Sequence, residues 1–219
     1  MNSAEIKTRA ASMMSEALSH AGFALGRGGV IHKIGGLWST EFTVSIEFYV
    51  ERIEGRYDIE PRIVIRLPYF ELVESKFIEW QNGSKPNSKF KDDMVFYSNS
   101  FRPLCRSIAS IDINTFYINS DEELRSAINY YASLVDEEIG EWIRQWGDWN
   151  SSRHLMDSNR SMAGSWRNTA YFALLKCGFG GRSACNWLDT DGPVTFSKRL
   201  RAQIDFLREF CSGDPDVLS

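Results

Sequence analysis

The chain has 219 residues, 43% of them apolar and 25% charged, with a formal net charge of −4. That length and balance describe a globular protein able to bury a core without staples, and the net negative charge excludes a global cationic field for nucleic acid or anionic lipid. No window approaches the roughly 18 apolar residues of a membrane span, and the opening MNSAEIKTRAASMMSEALSHAG, with Glu5, Lys7, Arg9 and Glu16, lacks the uninterrupted apolar core of a signal peptide or anchor.

Ile6, Ala10, Met13, Met14, Ala17, Leu18 and Ala21 recur at helical spacing and predict an opening helix, with Gly22 where a C-terminal glycine cap belongs. The run GFALGRGGVIHKIGG follows at 22–36, with six of the chain's 16 glycines. It is not a phosphate loop of the Walker type, because Val30 and Ile31 follow Gly29 where a lysine and a hydroxyl residue are needed. A dinucleotide fingerprint starting at Gly26 and Gly28 meets Ile31 instead of its third glycine, and the helix precedes the strands rather than following them. The glycines instead predict a turn near 26–29 inside a strand pair that includes VIHKI.

From 40 to 52, TEFTVSIEFYVER alternates Phe42, Val44, Ile46, Phe48 and Val50 with Thr43, Ser45, Glu47 and Tyr49, the pattern of a half-buried strand. RIVIRL at 62–67 repeats it with Ile63, Ile65 and Leu67, and the intervening EGRYD supplies a turn glycine. DDMVFYS at 92–98 and NTFYIN at 114–119 read as shorter strands, and QNGSKPNSK at 81–89 as a polar loop. The short connections imply an antiparallel sheet.

Beyond residue 119 the period becomes helical. SDEE at 120–123 is a capping box, after which Leu124, Ala127, Ile128, Tyr131, Leu134, Val135, Ile139, Trp142, Ile143 and Trp146 form one apolar stripe ending at Gly147. Three more helices are expected over 165–180, 181–189 and 195–213, the last with Leu200, Ile204, Leu207 and Cys211 in phase, before a frayed tail. The class is therefore α+β: an N-terminal helix, an antiparallel sheet, then four or five helices. The expected organisation is a helix-plus-sheet part over 1–119 and a helical part over 120–219, packed as one compact unit.

Cys105, Cys177, Cys185 and Cys211 form no CxxC pair, so the spacing of structural zinc is absent. Their apolar or helical contexts predict buried, reduced thiols and hence the cytoplasm. No serine sits in a G-x-S-x-G elbow. His20 falls near the end of the first helix and His32 in VIHKI. His154, with Asp148 and Asp157 nearby, offers the metal or acid–base set that spacing suggests, although only His154 and Asp157 share a helix-face interval. No cofactor or metal is expected.

Charge patterning says more. Between 112 and 148 nine acids face two bases, a local charge of −7 in a chain of −4. Asp121, Glu122 and Glu123 suit a helix N-terminus, where the dipole favours anions. Asp136, Glu137, Glu138 and Glu141 lie in the second half of that helix and have no such reason; they form either a solvated helix face or a face that docks on a basic partner. Trp142 and Trp146 are in phase with the core, whereas Trp149 falls past the helix end beside Asp148, in a polar turn, as an exposed anchor. Lys198, Arg199 and Arg201 share their helix with Asp205 and Glu209, a patch too mixed for nucleic acid.

The order of these features (a helix ending in AGF, the strand FTVSIEFYV, then NSDEELRSAINYYASLVDEEIGEWI and ALLKCGFGGRSACNWL) resembles a broad group of bacterial domains of unknown function. Members of that group begin with a helix and Gly-Phe, run into a sheet and close with a long helix, and some are considered toxin-immunity proteins. The resemblance implies no catalytic residue. The expectation is a non-enzymatic, cytoplasmic binding protein, most concretely an immunity protein that neutralises a basic toxin domain through Asp136, Glu137 and Glu141, with Asp148 and Trp149. The alternatives are an enzyme with a site folded together around Asp148, His154 and Asp157, and an intracellular adaptor or assembly protein using exposed apolar surface.

Overall fold

In the computed structural model, which describes residues 2–26, 31–33, 42–83, 96–159 and 162–213, α1 (Ser3–Ala17) opens on a capping box: the Asn2 side chain accepts from the Glu5 N–H at 2.9 Å and Glu5 returns a bond to the Asn2 N–H. Ile6, Ala10, Ala11 and Met14 form its buried stripe. A 3-10 turn, Ser19–Ala21, follows and ends at Gly22, whose φ of 78° is the left-handed conformation expected of a glycine stop. The chain is α+β as the change of period implies, with an antiparallel sheet between the first helix and the later ones.

The sheet runs β1 (Phe23–Leu25), β2 (Ile31–Lys33), β3 (Thr43–Ile53), β4 (Arg56–Arg66) and β5 (Tyr97–Ser100) in spatial as in chain order, with β6 (Tyr117–Ile118) also on β4. β1 and β2 are antiparallel, Phe23 opposite Lys33 and Leu25 opposite Ile31, so the expected strand pair is present, while residues 27–30 of its turn lie outside the described ones. Ile31 opposes Ile46, which fixes β2 on β3 with both side chains buried. β3 and β4 turn at Glu54 and Gly55, with φ of 49° and 86°, the two successive left-handed residues of a type I′ hairpin. A Cβ at Gly55 would meet nothing within 4 Å, so conformation rather than space favours glycine there.

The chain forms two compact units. The first takes Met1–Leu37, Thr43–Ile65 and Ser98–Arg144; the second takes Trp38–Phe42, Arg66–Tyr97 and Gln145–Ser219. In the first, the buried positions Val44, Ile46, Phe48 and Val50 of β3 share a core with α1 and α4 (Asp121–Leu134). The SDEE box forms as read, Ser120 accepting from the Glu123 N–H at 3.2 Å and Glu123 from the Ser120 N–H at 3.0 Å. The Tyr131 hydroxyl donates to the Ile59 carbonyl at 2.9 Å, so this buried polar tip is satisfied. α3 (Phe101–Ala109) also lies in this unit and was not expected.

The second unit is helical. α2 (Pro68–Asn82) was not expected either, yet it has clear local reasons: Pro68 at the first turn, Phe70, Val73, Glu74 and Phe77 at helical spacing, and Gly83 in the left-handed stop. It takes the first residues of the expected polar loop, whose positions 84–89 lie outside the described residues. α6 (Trp149–Ser158) replaces the expected polar turn. α7 (Arg167–Phe179) is the unit's central helix, with nine consecutive residues, Arg167 to Leu175, all buried, and it packs on α2, α6, α8 (Gly181–Trp187) and α9 (Lys198–Gly213).

The reading of four reduced thiols is corrected. Cys185 on α8 and Cys211 on α9 form a disulfide across 26 residues of sequence, because the packing of α8 on α9 brings together two thiols that no local spacing links. Cys105 is buried and outside the disulfide, its thiol pushed up to about 11 by burial and then by the nearby Glu138; Cys177 is half-buried and also outside the disulfide.

Candidate functional site

The long apolar stripe expected over 121–146 is present but not as one α-helix. α4 ends at Leu134, Val135–Ile139 is a π-helical segment, and α5 (Gly140–Gln145) continues. The Gly140 N–H donates to the Val135 carbonyl, closing the wide turn, and a Cβ built on Gly140 would lie 2.7 Å from that same oxygen. Glycine is therefore the residue that lets the backbone of this turn close. Val135, Ile139, Trp142 and Ile143 keep the inner side buried.

The acids of interest sit on the outside of this segment. Asp136 and Glu137 are exposed and belong to the π turn; Glu141 is exposed at the start of α5. Asp136 Oδ1 lies 3.0 Å from Nε2 of His20, whose Nδ1 faces the Ala17 carbonyl at 3.1 Å. Glu141 accepts from Nε and a terminal nitrogen of Arg144 at 3.0 and 2.6 Å. The side chains of these pairs are 41 to 68% exposed, and ion pairs that wet contribute at most about 1 kcal/mol each. They can be exchanged for another cationic partner at small cost.

Asp148 and Trp149 do different work, in the second unit. Asp148 is the N-cap of α6, its carboxylate accepting from the N–H groups of Asn150 and Ser151 at 3.1 and 3.2 Å. Trp149 is half-buried rather than exposed: its ring lies 5.4 Å from that of Phe42, and a Cβ on Gly178 of α7 would fall 2.8 Å from the indole. The pattern of an aspartate followed by helix-compatible residues, with Ser152 and Met156 one turn apart and buried, was the available signal for α6.

The Asp148, His154 and Asp157 set does not converge as a site. Asp148 is committed to its cap. His154 is exposed, with Nε2 3.5 Å from the Ser158 hydroxyl on its own helix. Asp157 accepts from the Tyr171 hydroxyl and pairs with Arg153 at 3.6 Å; burial, then the bond to Asp157, push the Tyr171 phenol up to about 12. Among the described residues no group of three His, Cys, Asp or Glu side chains is placed to hold a metal ion, and no described helix is long and apolar enough to cross a membrane.

Sequence reasoning missed the carboxylate most perturbed among the described residues. Glu74 of α2 is fully buried; it accepts from the Thr169 hydroxyl on α7 and, at 2.7 Å, from Arg199 on α9. Burial pushes its pKa up to about 7, against the downward pull of Thr169 and Arg199. The Arg199 guanidinium lies 4.2 Å from the Trp166 ring and 5.2 Å from that of Phe77. A glutamate on the apolar stripe of a helix was the available signal; its partners are 95 and 125 residues away. No family model, curated protein sequence or solved structure matches the chain.

Proposed function

We propose that the protein is a non-enzymatic binding protein, most concretely an immunity protein that neutralises a toxin by docking the acidic face Asp136, Glu137 and Glu141 on a basic partner. The observation that carries the reading is the placement of these carboxylates: exposed, on one helical segment whose other side is buried. A rigid scaffold presents charge at low ordering cost, and charge of one sign steers a partner of the other. π turns inserted in α-helices occur frequently at functional sites, and this one carries Asp136 and Glu137 themselves.

The reading includes a cytoplasmic location, where thiols are kept reduced, whereas a Cys185–Cys211 bond suits an oxidising compartment. Alkylation of the protein inside unbroken cells tests that part of the reading: labelling of Cys185 and Cys211 supports cytoplasmic residence, and their protection from the reagent overturns it. The docking face is tested by replacing Asp136, Glu137 and Glu141 together with lysine. Partner capture from the native cell is then lost while the circular dichroism melt stays in place; capture that survives the triple change overturns the acidic-face reading.

A further inference from the structure

The stretch between α8 and α9, residues 190–197, has no regular secondary structure, yet it is held at several points by polar contacts. Asn168, fully buried on α7, donates to the Val194 carbonyl at 2.8 Å and the Leu200 carbonyl at 2.9 Å, and accepts from the Val194 N–H at 2.9 Å. The Thr190 hydroxyl donates to the Trp187 carbonyl at 2.7 Å and accepts from the Gly192 N–H at 3.1 Å. Gly192 is pressed on the Trp187 indole so closely that a Cβ would lie 2.2 Å from its Nε1. Arg201 donates to the Thr195 carbonyl at 2.7 Å, and the Ser197 hydroxyl accepts from the Leu200 N–H at 3.2 Å. Ordering a loop costs about 1–2 kcal/mol per residue, so a loop pinned in this way is a built wall.

What it borders is an open groove of about 770 Å³ between the loop, the end of α8 and α9. That is within the usual size of small-molecule sites. The buried Leu188, Val194 and Ile204 belong to the apolar part of its lining, beside the polar Thr190, Asp191 and Thr195. Phe196 lines it while 71% exposed, an aromatic ring with most of its surface uncovered. Arg208, one turn past Ile204 on the same face of α9, brings a guanidinium to the lining; it donates to the Leu188 carbonyl at 3.3 Å, which orients the group and leaves further N–H donors. The Cys185–Cys211 disulfide ties the two helical walls, since Cys185 is three residues before Leu188 and Cys211 three after Arg208.

We infer that this groove is a binding site for a monoanionic carboxylate with an apolar body, an aryl- or alkylcarboxylate of small-molecule size. The planar guanidinium of Arg208 meets a carboxylate through paired N–H donors, and the apolar part of the lining takes the hydrocarbon part. Asp191 lines the same groove, so its lining holds one acid beside the single cation Arg208 and favours at most one negative charge on a ligand. The site lies in the second unit and does not depend on the acidic-face reading.

The test is a titration of the full chain with 3-phenylpropanoate and with its neutral isostere 3-phenylpropanamide, followed by amide chemical shifts. The acid is expected to saturate, with shifts confined to residues 188–196 and 204–208, and the amide to bind at least about tenfold more weakly, the usual weight of a charge-assisted bond. Arg208→Gln is expected to weaken the acid by a similar factor and leave the amide unchanged, and Asp205→Asn, outside the lining on α9, to change neither. Equal affinity of acid and amide overturns the carboxylate assignment. So does tighter binding of inorganic phosphate, a map of shifts elsewhere, or no saturation by about 10 mM ligand. The acid–amide comparison uses the unaltered protein, so it decides the matter even if a variant folds poorly.

Discussion

The exposed acids of the π segment and of the start of α5, and the buried Glu74, are opposite uses of the same chemical group. Asp136, Glu137 and Glu141 crowd one short stretch, meet water and pair loosely with His20 and Arg144. Glu74 is fully buried, one carboxylate bonded by two helices, with a pKa near 7. Acid density along the chain therefore points to where charge is offered to a partner. It does not point to where charge carries folding energy, because solvent screens the first set and desolvation amplifies the second.

The largest effect expected from this contrast is at Arg199. Arg199→Ala leaves Glu74 buried without its cation, and at pH 8 urea denaturation should show a loss of about 3–5 kcal/mol. A loss below about 1 kcal/mol would place Glu74 among the weakly coupled surface acids and erase the distinction.

Next is the pH dependence. The Glu74 pKa is raised from 4.5 in the ordinary state to about 7 in the fold, so the folded form holds the proton more tightly than the unfolded chain. Its contribution to stability is full below about pH 4.5 and is lost as pH rises through 7, about 3 kcal/mol in all at 1.36 kcal/mol per unit. Denaturation midpoints measured between pH 4.5 and 8 should fall for the native protein and fall much less for Glu74→Gln; parallel curves would remove Glu74 as the cause.

A smaller change is expected at Gly140. Gly140→Ala puts a methyl 2.7 Å from the Val135 carbonyl, and relieving that contact should cost about 1–3 kcal/mol and speed hydrogen exchange of the 135–140 amides. Unaltered exchange would mean that the π turn does not need its glycine. The smallest effects belong to Asp136→Asn and Glu141→Gln, each expected to move stability by less than about 1 kcal/mol. A thermal melt that moved as much as that of Arg199→Ala would show the acidic face to be structural rather than presented.

Some of this was legible in the linear chain. The capping box at Ser120–Glu123, the glycine stop at Gly22 and the alternation of β3 depend on residues within a few positions of each other. α2 and α6 carried comparable local signals, in Pro68 and Gly83 for one and Asp148 for the other. The π turn shows a subtler limit: Gly140 and the stripe Val135, Ile139 and Trp142 fit an ordinary helix as well as a widened one, so periodicity alone does not distinguish them.

What the sequence by itself determined is the α+β order of elements, the ends of several helices and the segment where negative charge accumulates, since each is set by interactions of short range along the chain. Tertiary structure alone decided that Cys185 meets Cys211, that Arg199 and Thr169 answer Glu74 across 125 and 95 residues, and that Asn168 pins a loop 26 residues away. It also decided that the long helix beginning at Asp121 shares a unit with the sheet rather than with the helices that follow it. The physical reason is common to all four. The energy of a buried polar pair, a thiol pair or a helix face depends on which distant surface arrives to exclude water, and that surface has no local signature.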